Sequence, residues 1–179
     1  MNYQTIYKCA TSDGPGVRVS LYVSGCRNHC KGCHNPESWD FGGGIPYTDD
    51  TKKEVLDLCS RSYIRGLTIC GGEPMEPENQ EVLVSLLEEF HDLYPNKDVW
   101  CFTGYEFADL LPGGRKHTKY TDKMLQLIDA MIVGPFVLEQ RDITADNLWR
   151  GSRNQRVIDV SASLNSGQLV MLRGIPNNE

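Results

Sequence analysis

Three of the seven cysteines stand within eight residues, as Cys26, Cys30 and Cys33 in the run GCRNHCKGCHN, and no other feature of the chain narrows its fold as far. One short loop with thiols at CxxxCxxC spacing can wrap a single soft metal centre, either zinc or an iron–sulfur cluster. An odd cysteine count excludes complete pairing within the chain. Cys9, Cys59, Cys70 and Cys101 are scattered through stretches that read as core or loop. The crowded set is therefore the metal-site candidate, and the scattered ones are packing residues. Val17 to Val23, reading VRVSLYV, alternates apolar and polar residues and runs into Gly25, so a strand delivers the cysteine loop.

The rest of the chain alternates strands with helices. TDDTKKEVLDLC offers Thr48 or Asp50 as an N-cap, acidic first-turn residues and apolar residues at helical spacing. Leu67 to Cys70 reads as a short strand ended by Gly71 and Gly72, and Pro77 to Tyr94 as a helix with Val82, Leu83, Leu86, Leu87 and Phe90 on one stripe. Val99 to Thr103 and Met131 to Val133 read as strands, and Glu106 to Leu111 and Asp122 to Ile128 as helices. Val157 to Val160 and Gln168 to Leu172 complete the series as strands. Such alternation predicts an α/β fold with a mostly parallel sheet. A closed eight-unit barrel takes about 250 residues. The expectation is therefore an open, partial barrel of about five or six βα units, one domain over residues 1–179, with its chemistry in the loops at the carboxyl ends of the strands.

Composition excludes several functions. The formal charge of -6 and pI near 5.2 give no general attraction to nucleic acid or anionic lipid. No apolar run approaches the roughly 18 residues of a membrane span, and Met1 to Ala10 lacks the basic start and apolar centre of a secretory signal. The chain reads as cytoplasmic.

A structural zinc site needs four ligands, which here would recruit His29, His34 or a distant cysteine. The four-cysteine ferredoxin pattern is absent, which argues against a plain electron carrier. A 4Fe-4S cube on three cysteines would leave one iron open to a cofactor. Gly71, Gly72, Glu73 and Pro74 follow a strand, where glycines let the backbone approach a ligand. A plain strand-to-helix turn explains the same residues equally well.

The spacing CxxxCxxC resembles the signature of radical S-adenosylmethionine enzymes, and GGEP resembles that family's cofactor-binding turn. Ser12-Asp13-Gly14-Pro15-Gly16-Val17-Arg18, ahead of the strand and the cysteine loop, resembles the glycyl-radical activating enzymes within it. The resemblance implies a 4Fe-4S cluster on Cys26, Cys30 and Cys33, with S-adenosylmethionine on its open iron. It implies cofactor contacts at Gly71, Gly72, Glu73 and Pro74. Thr103 would join the ribose or methionine side, and Gly32, standing where the family has an aromatic residue, would make a backbone contact with the adenine. The compact length and the late stretch LWRGSRNQRVIDV imply anaerobic ribonucleoside-triphosphate reductase as the partner, rather than pyruvate formate-lyase. Flavodoxin or a similar low-potential donor and a homodimer are implied as well. Arg150, Arg153 and Arg156 read as a basic patch, either docking or solvated, and His29 and His34 as either cluster-tuning or exposed.

Overall fold

The computed structural model describes residues 1–176. Among these, seven strands form one open sheet: β1 (Asn2–Ala10), β2 (Val17–Val23), β3 (Ile45–Pro46), β4 (Ile64–Gly71), β5 (Asp98–Phe102), β6 (Ala130–Val133) and β7 (Arg156–Asp159). Their spatial order is β3-β1-β2-β4-β5-β6-β7. The pairs β2 with β4, β4 with β5 and β5 with β6 are parallel. The pairs β1 with β2, β1 with β3 and β6 with β7 are antiparallel.

The fold is mixed α/β with an open sheet, as expected, but three βαβ crossovers replace the five or six βα units anticipated. The remaining length goes into antiparallel edges. β1 escaped the alternation rule because most of its side chains are partly or fully exposed, so its sequence lacks a clean apolar face. Val160 does not extend β7. Asp159 accepts the Ala162 N–H at 2.8 Å and starts α5 (Val160–Ser166) there. Gln168 to Leu172, anticipated as a strand, makes a single bridge from Met171 to Ile158 before the chain turns at Arg173 and Gly174.

Helices α1 (Asp49–Cys59), α2 (Pro77–Leu93), α3 (Phe107–Leu110) and α4 (Thr121–Gln126) begin where local chemistry dictates. Thr48 and Thr51 cap α1 reciprocally, each side chain accepting the other's backbone N–H. Pro77 stands at the first position of α2, where its missing N–H costs nothing.

Side-chain alternation sorts the sheet into two faces. Val19, Leu21, Leu67, Ile69, Val99, Met131 and Ile158 pack with Val55, Leu83, Leu86, Leu87, Phe90 and Met124 of the helices into the main core. Full burial of one such side chain stabilises the fold by about 1.5–3 kcal/mol. On the opposite face, Trp100, Ala130, Ile132 and Val157 form a smaller cluster with Phe102, Trp149, Leu172 and Ile175. Among the described residues no helix covers that face; the segment after β1 and the segments around β7 do.

Arg18 is fully buried on this second face, at the amino ends of the parallel strands. Its Nε donates to Thr68 Oγ1 at 2.7 Å and its Nη1 to Asp98 Oδ1 at 2.5 Å. Nη2 reaches the carbonyls of Leu67 and Asp98 at 2.9 and 3.2 Å. The arginine of the DGPGVR run therefore ties β2, β4 and β5 together.

Candidate functional site

Because β2, β4, β5 and β6 run parallel, the residues that follow them meet at one edge of the sheet. There they enclose a cavity of about 350 Å³, within the usual range of small-molecule sites. Cys26, Cys30, Cys33, Gly71, Gly72, Glu73 and Thr103 all line it. Of the residues singled out in the sequence, Gly32 and Pro74 are not on this wall. Gly32 has φ +74° and turns the loop between Cys30 and Cys33, where the Cys33 N–H donates to the Cys30 carbonyl at 3.0 Å. Pro74 is buried behind the glycines.

The cysteine loop and the glycine turn are sewn to each other through the backbone. The Gly72 N–H donates to the Val23 carbonyl at 2.8 Å and the Glu73 N–H to the Gly25 carbonyl at 2.9 Å. A Cβ on Gly72 would stand 2.8 Å from the Gly25 carbonyl oxygen and 2.9 Å from that of Ser38, so only glycine allows this approach.

Two buried carboxylates complete the frame. Glu73 Oε1 accepts the Met75 N–H at 3.0 Å and the Thr103 hydroxyl at 2.7 Å. Its Oε2 accepts the Gly104 N–H at 2.7 Å and the Asn28 amide at 3.0 Å. Burial nevertheless pushes this carboxyl up to about 7, against the pull of those donors. Glu76 accepts from Arg27, Tyr105 and Lys116. Burial opposes its charge as well, but the hydrogen bonds from Lys116, Tyr105 and Arg27 outweigh it and hold the carboxyl below its ordinary value.

Burial pushes the Cys26 thiol up to about 11 and raises that of Cys30, which favours the protonated form of both. Cys70, read from sequence as a packing residue, is buried but lies on the cavity wall beside Tyr22, whose hydroxyl donates to Asp13 at 3.1 Å. Cys59 and Cys101 are buried in the main core and Cys9 is exposed. Arg150 is not part of a surface patch: it is buried on the cavity wall and donates to the carbonyls of Asp146 and Pro176 at 3.2 and 2.6 Å. Arg153 is exposed beside Asp142, and Arg156 donates to nearby carbonyls. His29 stacks on Trp39 with centroids 4.6 Å apart, and His34 is exposed at the cavity rim.

Asn28, Glu76, Lys116 and Trp149 were not singled out by sequence. Their roles arise from contacts across 29 to 49 positions for the Glu76 and Asn28 partners, for which no local pattern exists. Trp149 at φ 61° is a bulky residue in left-handed geometry, packed edge-on against Trp100 at the cavity wall.

The donor set fits an iron–sulfur cluster. Three soft thiols line one cavity, the donor type that iron–sulfur clusters take. Glycine backbone and a hydroxyl share the wall with them, as a bound cofactor needs.

Comparison with known proteins defines the class. The chain belongs to the 4Fe-4S single cluster domain family, whose model matches residues 12–158. The anaerobic ribonucleoside-triphosphate reductase-activating protein of Enterobacteria phage T4 is 40% identical over 157 residues, 88% of this chain and 93% of its own length. The protein of that name from Haemophilus influenzae is 37% identical over 157 residues, 87% of this chain and 96% of its own. The one from Escherichia coli K12 is 31% identical over 159 residues, 88% of this chain and 97% of its own.

Proposed function

We propose that the chain is a radical S-adenosylmethionine activase that holds a 4Fe-4S cluster on Cys26, Cys30 and Cys33 and generates a glycyl radical on anaerobic ribonucleoside-triphosphate reductase. One observation carries the reading: the three thiols and the Gly71 to Glu73 turn face the same cavity at the carboxyl ends of parallel strands. The names of the relatives supply the partner.

When bound, the cluster and S-adenosylmethionine together supply reductive cleavage of a carbon–sulfur bond and removal of one hydrogen atom from the glycine α-carbon. The chain's residues do the rest. Cys26, Cys30 and Cys33 would hold the cluster, and a cluster held by three thiolates would remain open to the cofactor. Gly71 and Gly72 let the backbone stand against the cofactor. Glu73 fixes the Thr103 hydroxyl and the Gly104 amide, so that both edges of the cavity keep their spacing. Gly32 and Pro74 act through the backbone, shaping the two loops. Trp39, Phe102, Phe136 and Trp149 wall the cavity and exclude water and stray hydrogen donors.

The same reading makes flavodoxin or a similar low-potential protein the electron donor, the cytoplasm the compartment, a homodimer the working form and residues 1–179 one domain. None of the helices is long and apolar enough to cross a membrane, among the described residues. The sheet face that carries no helix, with Tyr22, Cys70 and Phe102 on the cavity wall, serves as the lumen of a partial barrel.

Oxygen-free reconstitution tests the reading. The loaded protein, reduced and given S-adenosylmethionine and the reductase, is expected to produce a glycyl-radical signal in electron paramagnetic resonance. A protein that takes up zinc but neither iron nor sulfide would end this reading. A signal with pyruvate formate-lyase and none with the reductase would reassign the partner.

A further inference from the structure

The cysteine loop is gripped by an anion that no step above uses. Glu76 precedes α2 as its N-cap residue, yet its side chain does not cap that helix. The side chain is fully buried, and both oxygens are turned to other elements. Oε1 accepts the Arg27 backbone N–H at 3.0 Å and the Tyr105 hydroxyl at 2.6 Å. Oε2 accepts Arg27 Nη1 at 2.8 Å and Lys116 Nζ at 2.8 Å.

Arg27 follows Cys26 directly, and Glu76 holds it at the main chain and at the guanidinium together. Glu78 adds two further bonds to the same guanidinium, at 3.0 and 2.6 Å. Glu73 takes the Asn28 amide at 3.0 Å. Two of the three residues between Cys26 and Cys30 are thus pinned by carboxylates from the turn after β4. A buried ion pair adds little net stability over well-packed apolar groups, so stability alone does not explain a carboxylate here. Contact with the main chain beside a thiol gives it a geometric task.

We propose that Glu76 is a positioning residue: it fixes the peptide that follows Cys26 and so sets where that thiol stands relative to Cys30 and Cys33. The inference rests on the reading of these cysteines as cluster ligands. Loss of the grip frees the loop, changes how the cluster meets its cofactor and leaves the remote core untouched.

Glu76→Gln keeps the side-chain shape but turns an amide toward two cations, so it is paired with Glu76→Gln/Lys116→Met, which removes the stranded ammonium. On iron-free protein, the double variant is expected to keep the wild-type far-UV circular dichroism and a cooperative unfolding transition while hydrogen exchange in a peptide spanning Cys26 and Cys30 becomes faster. After oxygen-free loading, it is expected to hold iron but to show an altered change in the cluster's paramagnetic resonance spectrum on adding S-adenosylmethionine. Cofactor cleavage is expected to fall by roughly tenfold or more, the usual scale for groups that orient metal ligands. Wild-type exchange together with a wild-type spectral response overturns the proposal. Should the double variant not fold, Arg27→Gln at its half-exposed position takes its place, with the same two outcomes. Wild-type protein that takes up no iron would instead refute the ligand reading, and the exchange measurement on iron-free protein still judges the grip.

Discussion

At the amino ends of the parallel strands a buried cation collects acceptors, whereas at their carboxyl ends two buried carboxylates collect donors. Arg18 spends its guanidinium on Thr68, Asp98 and main-chain carbonyls, groups whose positions the strand register already fixes. Glu73 and Glu76 gather side chains and amides from loops that have no ladder of their own. The first network closes a frame. The second sets the relative positions of loops that, on the proposed function, admit a cluster, a cofactor and a glycine. A lesion at the amino end is therefore expected to appear as lost stability, and one at the carboxyl end as lost function in a folded protein.

The largest expected effect falls at the carboxyl end. Cys26→Ala, Cys30→Ala or Cys33→Ala should each reduce cofactor cleavage to background and lower the iron content, with the far-UV circular dichroism of the iron-free protein unchanged. Cys70→Ala is the companion measurement. Cys70 shares the cavity wall but stands on β4 beside Tyr22, outside the loop that carries the other three, so iron uptake should persist. Cleavage by any of the first three variants, or loss of iron in the fourth, would redraw the ligand set.

At the other end, Arg18→Met should cost about 3–5 kcal/mol, because it leaves the Asp98 carboxylate without its buried partner. Urea unfolding of the iron-free chain measures it. Arg65 also pairs with Asp98, at 3.0 Å from an exposed position, and softens the loss. An unfolding midpoint equal to wild type would show that the frame does not depend on this cation.

This division also decides how much was legible in the sequence. The cysteine loop, the glycine turn and Thr103 could be placed on one edge because each follows a strand, and parallel strands must end together. The α/β class and the central strands followed from the same alternation. The antiparallel edges could not be read: β1 is too exposed to show a two-residue period, and Asp159 ends β7 by capping a helix that its apolar neighbours disguise as strand. Arg150 read as surface charge because a buried arginine is recognised only by the carbonyls that surround it. Glu76 was invisible for a related reason, its partners lying 29 to 49 positions away.

A pH series separates the two carboxylates within the carboxyl-end network. The folded Glu73 carboxyl is pushed up to about 7 from an ordinary 4.5, so between those values the folded state binds more protons than the unfolded one. Stability therefore falls as pH rises through that window, and this contribution is flat above it. Glu76 has the opposite sign: its carboxyl is held low, so its contribution is present above the ordinary value and is lost as pH falls through the folded one. Glu73→Gln should remove the downward slope found on urea unfolding of the iron-free protein between about pH 5 and pH 7. An unchanged slope in the variant would assign it to another group.

The smallest expected effect tests whether the carboxyl-end loops are held by backbone as well as by charge. A Cβ at Gly72 meets two carbonyl oxygens at 2.8 and 2.9 Å, and neither can swing aside as a flexible side chain could. Gly72→Ala must therefore push the cysteine loop off the turn, lengthening the bond from the Glu73 N–H to the Gly25 carbonyl, at a cost of about 1–3 kcal/mol. Gly42→Ala serves as its control. The nearest atom to a Cβ there is the Asp40 carboxylate at 3.5 Å, an ordinary contact, and its effect should stay within about 0.5 kcal/mol. Equal midpoints for the two variants would mean that the loop yields freely at Gly72. The two carboxylates would then carry more of its restraint, and the contrast between a rigid amino end and an adjustable carboxyl end would become sharper than the backbone contacts suggest.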